Sequence, residues 1–222
     1  MATLAEVKAA IQSYTTYFDE TDNVAELDGF IRQSEERIWY TIQLPNFRRN
    51  VTGNFTAANQ YLELPGDFLA PASLAVILDS GEYVYLLNKD VNFIREAYPN
   101  PTVQGVPSHY ALFDADADNT AIIVGKTPDQ SYAAELHYFY KPASLVDGPE
   151  DGTTWLSTHA YDALLYGALD EASTYLKRNA GIDNMGDTYG QRFLMALQGL
   201  KNLGEARDRK DTYRGGEKRM PE

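Results

Sequence analysis

What most constrains the fold of this chain is that its hydrophobic period changes twice. From Ala2 to about Leu44, apolar residues recur at helical spacing, first as Leu4, Val7, Ala10, Ile11 and Tyr14. After a break with Asp22 or Asn23 as N-cap, a second stripe holds Val24, Leu27, Phe30, Ile31, Ser34, Ile38 and Ile42. Glu35, Glu36 and Arg37 fall off that stripe, and Pro45 stops it. From about Asn46 to Leu145 the period drops to two. RRNVTGNFTA, QYLEL, SLAVILDS, YVYLLN, SHYALFD, TAIIVG and AAELHYFYK read as seven strands. Asp79-Ser80-Gly81 and Asp114 to Asn119 read as hairpin turns, and VNFIREAY as a short helix after Asp90.

Helical spacing then returns. Thr153 or Thr154 caps one long helix expected to run to about Arg178, with Leu156, Ala160, Ala163, Leu164, Gly167, Ala168, Ala172 and Leu176 on its inner stripe. So many small residues on one face imply close approach of a neighbouring helix or subunit. After a break at Asn179–Gly186, a last helix carries Tyr189, Phe193, Ala196, Leu197, Leu200 and Leu203 inward. The reading is α+β: a bundle of N-terminal helices (1–45) and C-terminal helices (146–207) interrupted by an antiparallel sandwich- or barrel-like β module (46–145), with a flexible C-terminal segment at 208–222.

Composition narrows the function. A hydrophobic share of 44% and a charged share of 23% are ordinary globular usage. The chain has no cysteine, which removes disulfides, thiolate metal sites and a cysteine nucleophile. MATLAEVKAAIQSY lacks a basic cluster followed by an apolar run, and no apolar stretch approaches the roughly 20 residues of a membrane span. A soluble protein without a membrane partner is expected. The net charge of -13 argues against general nucleic-acid binding, which needs clustered Lys and Arg.

No catalytic or cofactor site emerges, so neither enzyme chemistry nor a cofactor is expected. DADADNT at 114–120 alternates carboxylates like a calcium loop but has Asn119 and Gly125 where Gly and a bidentate Glu are required. GKTPD at 125–129 lacks the first glycine of a P-loop, and Pro128 forbids the following helix. His109, His137 and His159 are scattered, the last with Asp162 three residues on, and no pair has zinc spacing. Ser108 and His109, as neighbours on a strand, are expected to point to opposite faces. Glu171, on the small-residue side of its helix, reads either as a partly buried carboxylate that bonds across the bundle or to a neighbouring subunit, or as an exposed Glu at the stripe's edge.

Several stretches in order resemble one known group: ELPGDFLAPASL at 63–74, YVYLLNKDVNFIREAYPN at 83–100, GVPSHYALFD at 105–114, GKTPDQSYAAELHYFYKPASL at 125–145 and TTWLSTHAYDALLYGALDEASTYLK at 153–177. The series is similar to the head-to-tail adaptor (connector, or gateway) proteins of tailed bacteriophages, mainly short-tailed ones. That resemblance implies a non-enzymatic virion protein of the neck, assembled in the host cytoplasm. It implies a ring of neighbouring adaptor subunits, dodecameric, under the portal protein. The β module would face a tail or nozzle protein, and genomic DNA would pass the central hole without sequence-specific binding.

The last eighteen residues, EARDRKDTYRGGEKRMPE, gain a role under that resemblance. They hold six Lys or Arg in an acidic chain. Arg207, Arg209, Lys210, Arg214, Lys218 and Arg219 would pair with acidic portal groups, with Tyr213 as the aromatic anchor of a docking arm. On the bundle, Ala160, Leu164, Gly167, Ala168, Glu171 and Ala172 are the expected packing surface. The alternative is a carbohydrate- or receptor-binding module using a tyrosine-rich sheet face. The chain has 16 Tyr, and Tyr83 with Tyr85, and Tyr138 with Tyr140, share faces by alternation.

Overall fold

The structure, a computed structural model, describes residues 1–15, 24–116, 119–180 and 186–207. The chain divides into two compact units, one of residues 1–45 with 143–222 and one of residues 46–142. The fold is α+β, with six α-helices and two mainly antiparallel sheets among the described residues. The second crossing falls before Ala143 and not at 145. Leu145 explains the difference, because it is buried and its N–H donates to Glu35 of the helical unit.

The helical unit begins with α1 (Leu4–Thr15). Thr3 Oγ1 accepts from the Glu6 N–H and Glu6 Oε2 from the Thr3 N–H, a reciprocal cap that satisfies two orphan donors. Helix α2 spans Val24–Thr41; the expected caps Asp22 and Asn23 lie outside the described residues. The predicted single helix after Thr154 is in fact two, α4 (Trp155–His159) and α5 (Tyr161–Ala180). Thr154 and Ser157 form a capping box at the first. Ala160 then leaves helical geometry, and the Ser157 carbonyl accepts from the N–H of Ala2. The chain's own start thus takes up a carbonyl at the bend. Helix α6 (Gly186–Arg207) completes the unit, and α5 packs against α1, α2, α4 and α6.

Burial on these helices follows the apolar stripes for the most part. Departures include Glu35 and Trp39, which lie off the expected stripe and are buried, and Tyr14 and Leu203, which lie on it and are 45% and 44% exposed. Gly204 takes the inward place on α6; a Cβ there would lie 3.1 Å from Leu44 Cδ2. The missing side chain is what lets α6 meet that segment.

Among the described residues the β unit holds eight strands where seven were expected. They are β1 (Arg48–Phe55), β2 (Tyr61–Glu63), β3 (Phe68–Ile77), β4 (Tyr83–Tyr85), β5 (Leu87–Asn88), β6 (His109–Asp116), β7 (Asn119–Gly125) and β8 (Tyr132–Tyr140). One sheet has the order β1-β8-β3-β4, the other β2-β7-β6-β5. YVYLLN is the extra strand's origin: β4 pairs with β3, the buried Leu86 turns inward, and β5 joins the second sheet parallel to β6. The Leu78–Glu82 turn closes β3 on β4, with Gly81 at φ 83°, a left-handed conformation that favours glycine.

Both sheets contribute to one core, with Phe55, Leu74, Val76, Leu136 and Tyr138 from the first and Tyr110, Ile122 and Val124 from the second. This is a sandwich. Ala111 and Ile123, one residue out of phase, face away from that core and pack under α3 (Val91–Ala97) with Ile94. Asp90 caps α3 by accepting from the Phe93 N–H. Of the second predicted turn, residues 117 and 118 lie outside the described residues, and the ladder closes on Asp116 and Asn119.

Candidate assembly surfaces

The small-residue face of α5 is where three helices meet. Ala160, Leu164, Ala168 and Ala172 are buried, Leu164, Ala168 and Ala172 with no exposed surface. Gly167 lies against Ser34 of α2 and Phe193 of α6; a Cβ there would stand 2.2 Å from Ser34 Oγ. That hydroxyl donates to the Leu164 carbonyl at 2.9 Å. Glu171 does bond across the bundle: Arg37 Nη1 reaches Glu171 Oε1 at 2.6 Å and Asp170 Oδ2 at 2.8 Å. The same guanidinium lies 4.5 Å from the centroid of the Phe193 ring. One side chain therefore ties α2, α5 and α6.

Sequence reasoning missed Glu35 and Arg37 as functional positions in the packing. Their spacing carried the signal, because Glu35 is four residues after Ile31 and three before Ile38. Its carboxylate accepts from Ser144 Oγ at 2.5 Å and from the Leu145 N–H at 3.0 Å. Burial pushes its pKa above the usual carboxylate range, against the lowering effect of those bonds. Nearby, Arg32 bridges Asp147 at 2.6 Å, and Lys8 reaches both Asp28 and Glu150. These ion pairs hold the returning chain against α1 and α2.

Outward, α6 presents Leu194, Met195 and Leu203, the first two at 63% and 72% exposure. Beside them lies a cavity of 360 Å3 lined by His159, Asp162, Ala196, Gly199 and Leu200.

On the β unit the tyrosines divide. Tyr138 is buried and donates to Asp67, and the Tyr140 ring lies 3.9 Å from the Arg49 guanidinium and 6.2 Å from Phe47. This pair is core packing, contrary to its expected place on a platform. Tyr83 and Tyr85 are exposed on the outer side of the first sheet. There Glu135 is bonded by Asn50, Tyr83 and His137, and the Asn50 bond leads in holding its carboxyl below the usual range. The bond to Glu135 likewise holds the Tyr83 phenol up. Ser108 and His109, expected on opposite faces, lie together: Ser108 Oγ is 2.9 Å from His109 Nδ1, and Tyr98 OH is 3.0 Å from both. Ser108 precedes β6, so strand alternation does not apply to it. Among the described residues no cluster of three His, Asp or Glu side chains could hold a metal ion.

Compared with known families, residues 2–219 match the model described as SU10 adaptor protein. The chain belongs to the SU10 adaptor protein family. It is a phage structural adaptor, which is not an enzyme class, and membership places it among the components of the virion neck that work with portal and tail proteins. No curated protein matches the adaptor. None of its described helices is long and apolar enough to cross a membrane. Of the arm residues, Arg209, Lys210, Tyr213, Arg214, Lys218 and Arg219 lie outside the described residues, and Arg207 is the last residue of α6.

Proposed function

We propose that this adaptor forms a dodecameric ring beneath the portal of a short-tailed phage, joins capsid to tail and lets the genome through without chemistry of its own. The observation that carries this reading is the family match over residues 2–219. The bundle would pack side by side with its neighbours, using the exposed Leu194 and Met195 of α6. The segment 208–222, with Arg207 at its root, would dock on the portal through Arg207, Arg209, Lys210, Arg214, Lys218, Arg219 and Tyr213. A basic segment that gains order on a partner can wrap a large surface. The β unit would meet the tail or nozzle protein. The charge of -13 favours a wall that repels the duplex, so DNA slides and is not held.

The test is binding to purified portal rings, imaged by negative stain, for the full chain and for a chain ending at Glu205. The full chain adds a ring to the portal and the shortened one does not. A shortened chain that binds equally well removes the arm's role. Failure of both removes the adaptor-on-portal reading.

A further inference from the structure

The first sheet ends in two open edges whose backbones match. Strand β1 is an edge strand of eight residues, exposed from Arg48 through Asn54, and its ladder with β8 has no register shift. Such an edge is a template for another strand. At the other side lies β4, which among the described residues is also unpaired on its outer edge.

Three rows cross the sheet from edge to edge without a break. Thr52 registers with Glu135, Ala75 and Tyr85; Gly53 with Ala134, Val76 and Val84; Asn54 with Ala133, Ile77 and Tyr83. The hydrogen-bond parity along these rows is fixed. Leu86 donates to Leu74 and Leu78 to Glu82, so between them Val76 and Val84 form a bonded pair. Alternation then gives the β3–β8 bonds to Ala75 and Ile77, and the β8–β1 bonds to Val51 and Gly53. What is left facing outward is the N–H and C=O of Tyr83 and Tyr85 on one edge, and of Thr52 and Asn54 on the other. The free groups stand in the same rows.

Strand direction closes as well. All three pairings in this sheet are antiparallel, so with four strands β4 runs opposite to β1. A second copy in the same orientation, set beside the first, brings its β1 antiparallel to β4. Head-to-tail contacts of this kind close into a ring when the rotation between copies closes.

We propose that β4 of one copy pairs with β1 of the next, with Tyr85 beside Thr52 and Tyr83 beside Asn54, so that neighbouring sheets join into one continuous sheet. This rests on the ring reading. Tyr83 and Tyr85 lie on the outer face with Thr52 and Asn54, so their exposed rings cover the neighbour's strand. A three-residue pairing is far below the area of a stable free dimer. It adds order and register to a ring already held on the portal and does not gather one in solution.

The chain has no cysteine, which makes the test clean. Thr52→Cys, Tyr85→Cys and the double variant are assembled as full chains on portal rings, imaged, and treated with a short bifunctional thiol crosslinker. Imaged rings from the double variant that give a ladder of linked subunits, with little linkage from either single variant, support the pairing. Imaged rings whose double variant gives no more linkage than the single variants overturn it and leave the ring reading intact. Absence of rings from all three variants and from the unaltered chain overturns both. Rings formed by each single variant show that the substitutions leave the fold intact.

Discussion

Gly167→Ala tests whether the meeting of three helices is as tight as the geometry says. On an exposed helix this substitution stabilises by about 1 kcal/mol. Here the new Cβ would lie 2.2 Å from Ser34 Oγ, 2.9 Å from Phe193 Cε2 and 3.0 Å from Ser34 Cβ. Rotating the Ser34 hydroxyl away relieves the first contact but gives up its bond to Leu164, about 1 kcal/mol. It does not relieve the other two. Phe193 is 1% exposed and lies under Arg37, so it has nowhere to retreat without α6 shifting from α5. Overpacking of that kind costs about 2 kcal/mol, so the net effect is a loss of about 2 kcal/mol. For a chain of this size that corresponds to a fall in Tm of about 4–8 °C. Gly29→Ala on α2, where a Cβ meets nothing within 4 Å, serves as the control and should raise Tm. Ser34→Ala combined with Gly167→Ala should recover about 1 kcal/mol relative to additivity. The measurement is thermal and urea unfolding followed by helix signal. If Gly167→Ala stabilises as much as Gly29→Ala, the close packing claimed here is wrong.

Arg37→Lys keeps the charge but cannot hold two carboxylates while lying flat on Phe193; it should lose about 1 kcal/mol in urea unfolding, a modest figure because the pair is partly exposed. A loss below the error of the fit would mean the tie between the helices is ornamental. Glu35 has a folded-state pKa above its unfolded one, so its ionisation opposes folding, and stability falls as pH rises through the folded value. Glu35→Gln should therefore gain relative to the wild type as pH rises above the ordinary carboxylate pKa, read from urea midpoints; a wild-type advantage that grows with pH would refute the assigned cause. Gly125→Ala would place a Cβ 2.4 Å from the Tyr98 ring and should destabilise the β unit by about 1–3 kcal/mol, losing the Tyr98 bonds to Ser108 and His109 as seen in the histidine NMR signals.

Much of the fold was legible because period is a strong signal. The alternation from Arg48 to Tyr140 and the helical spacing on either side are local facts, and each follows from which face must be buried. Three of the departures share one cause, which is that a neighbour distant in sequence decided the outcome. YVYLLN reads as one strand until two separate sheets claim its halves. The helix from Thr154 reads as continuous until Ala2 takes the Ser157 carbonyl. Leu203 reads as inward until Gly204 is needed against Leu44. Each overrides a local preference with a long-range contact.

The same distinction governs the candidate surfaces. The composition of the C-terminal segment and the small residues of α5 stand in the sequence, since they are properties of single stretches. The open edges of β1 and β4 do not, because an edge exists only once strand order is known. Residues 52 and 85 are 33 positions apart, and nothing local relates them. Only the ladder order β1-β8-β3-β4, with its even number of strands, puts their free backbone groups in one row and gives them opposite directions. Had the sheet held three or five strands, β1 and its outermost partner would run the same way, and a copy in the same orientation would meet it parallel, with slanted and weaker bonds. The count of strands, and not the identity of Thr52 or Tyr85, is what makes antiparallel head-to-tail addition geometrically open to this adaptor.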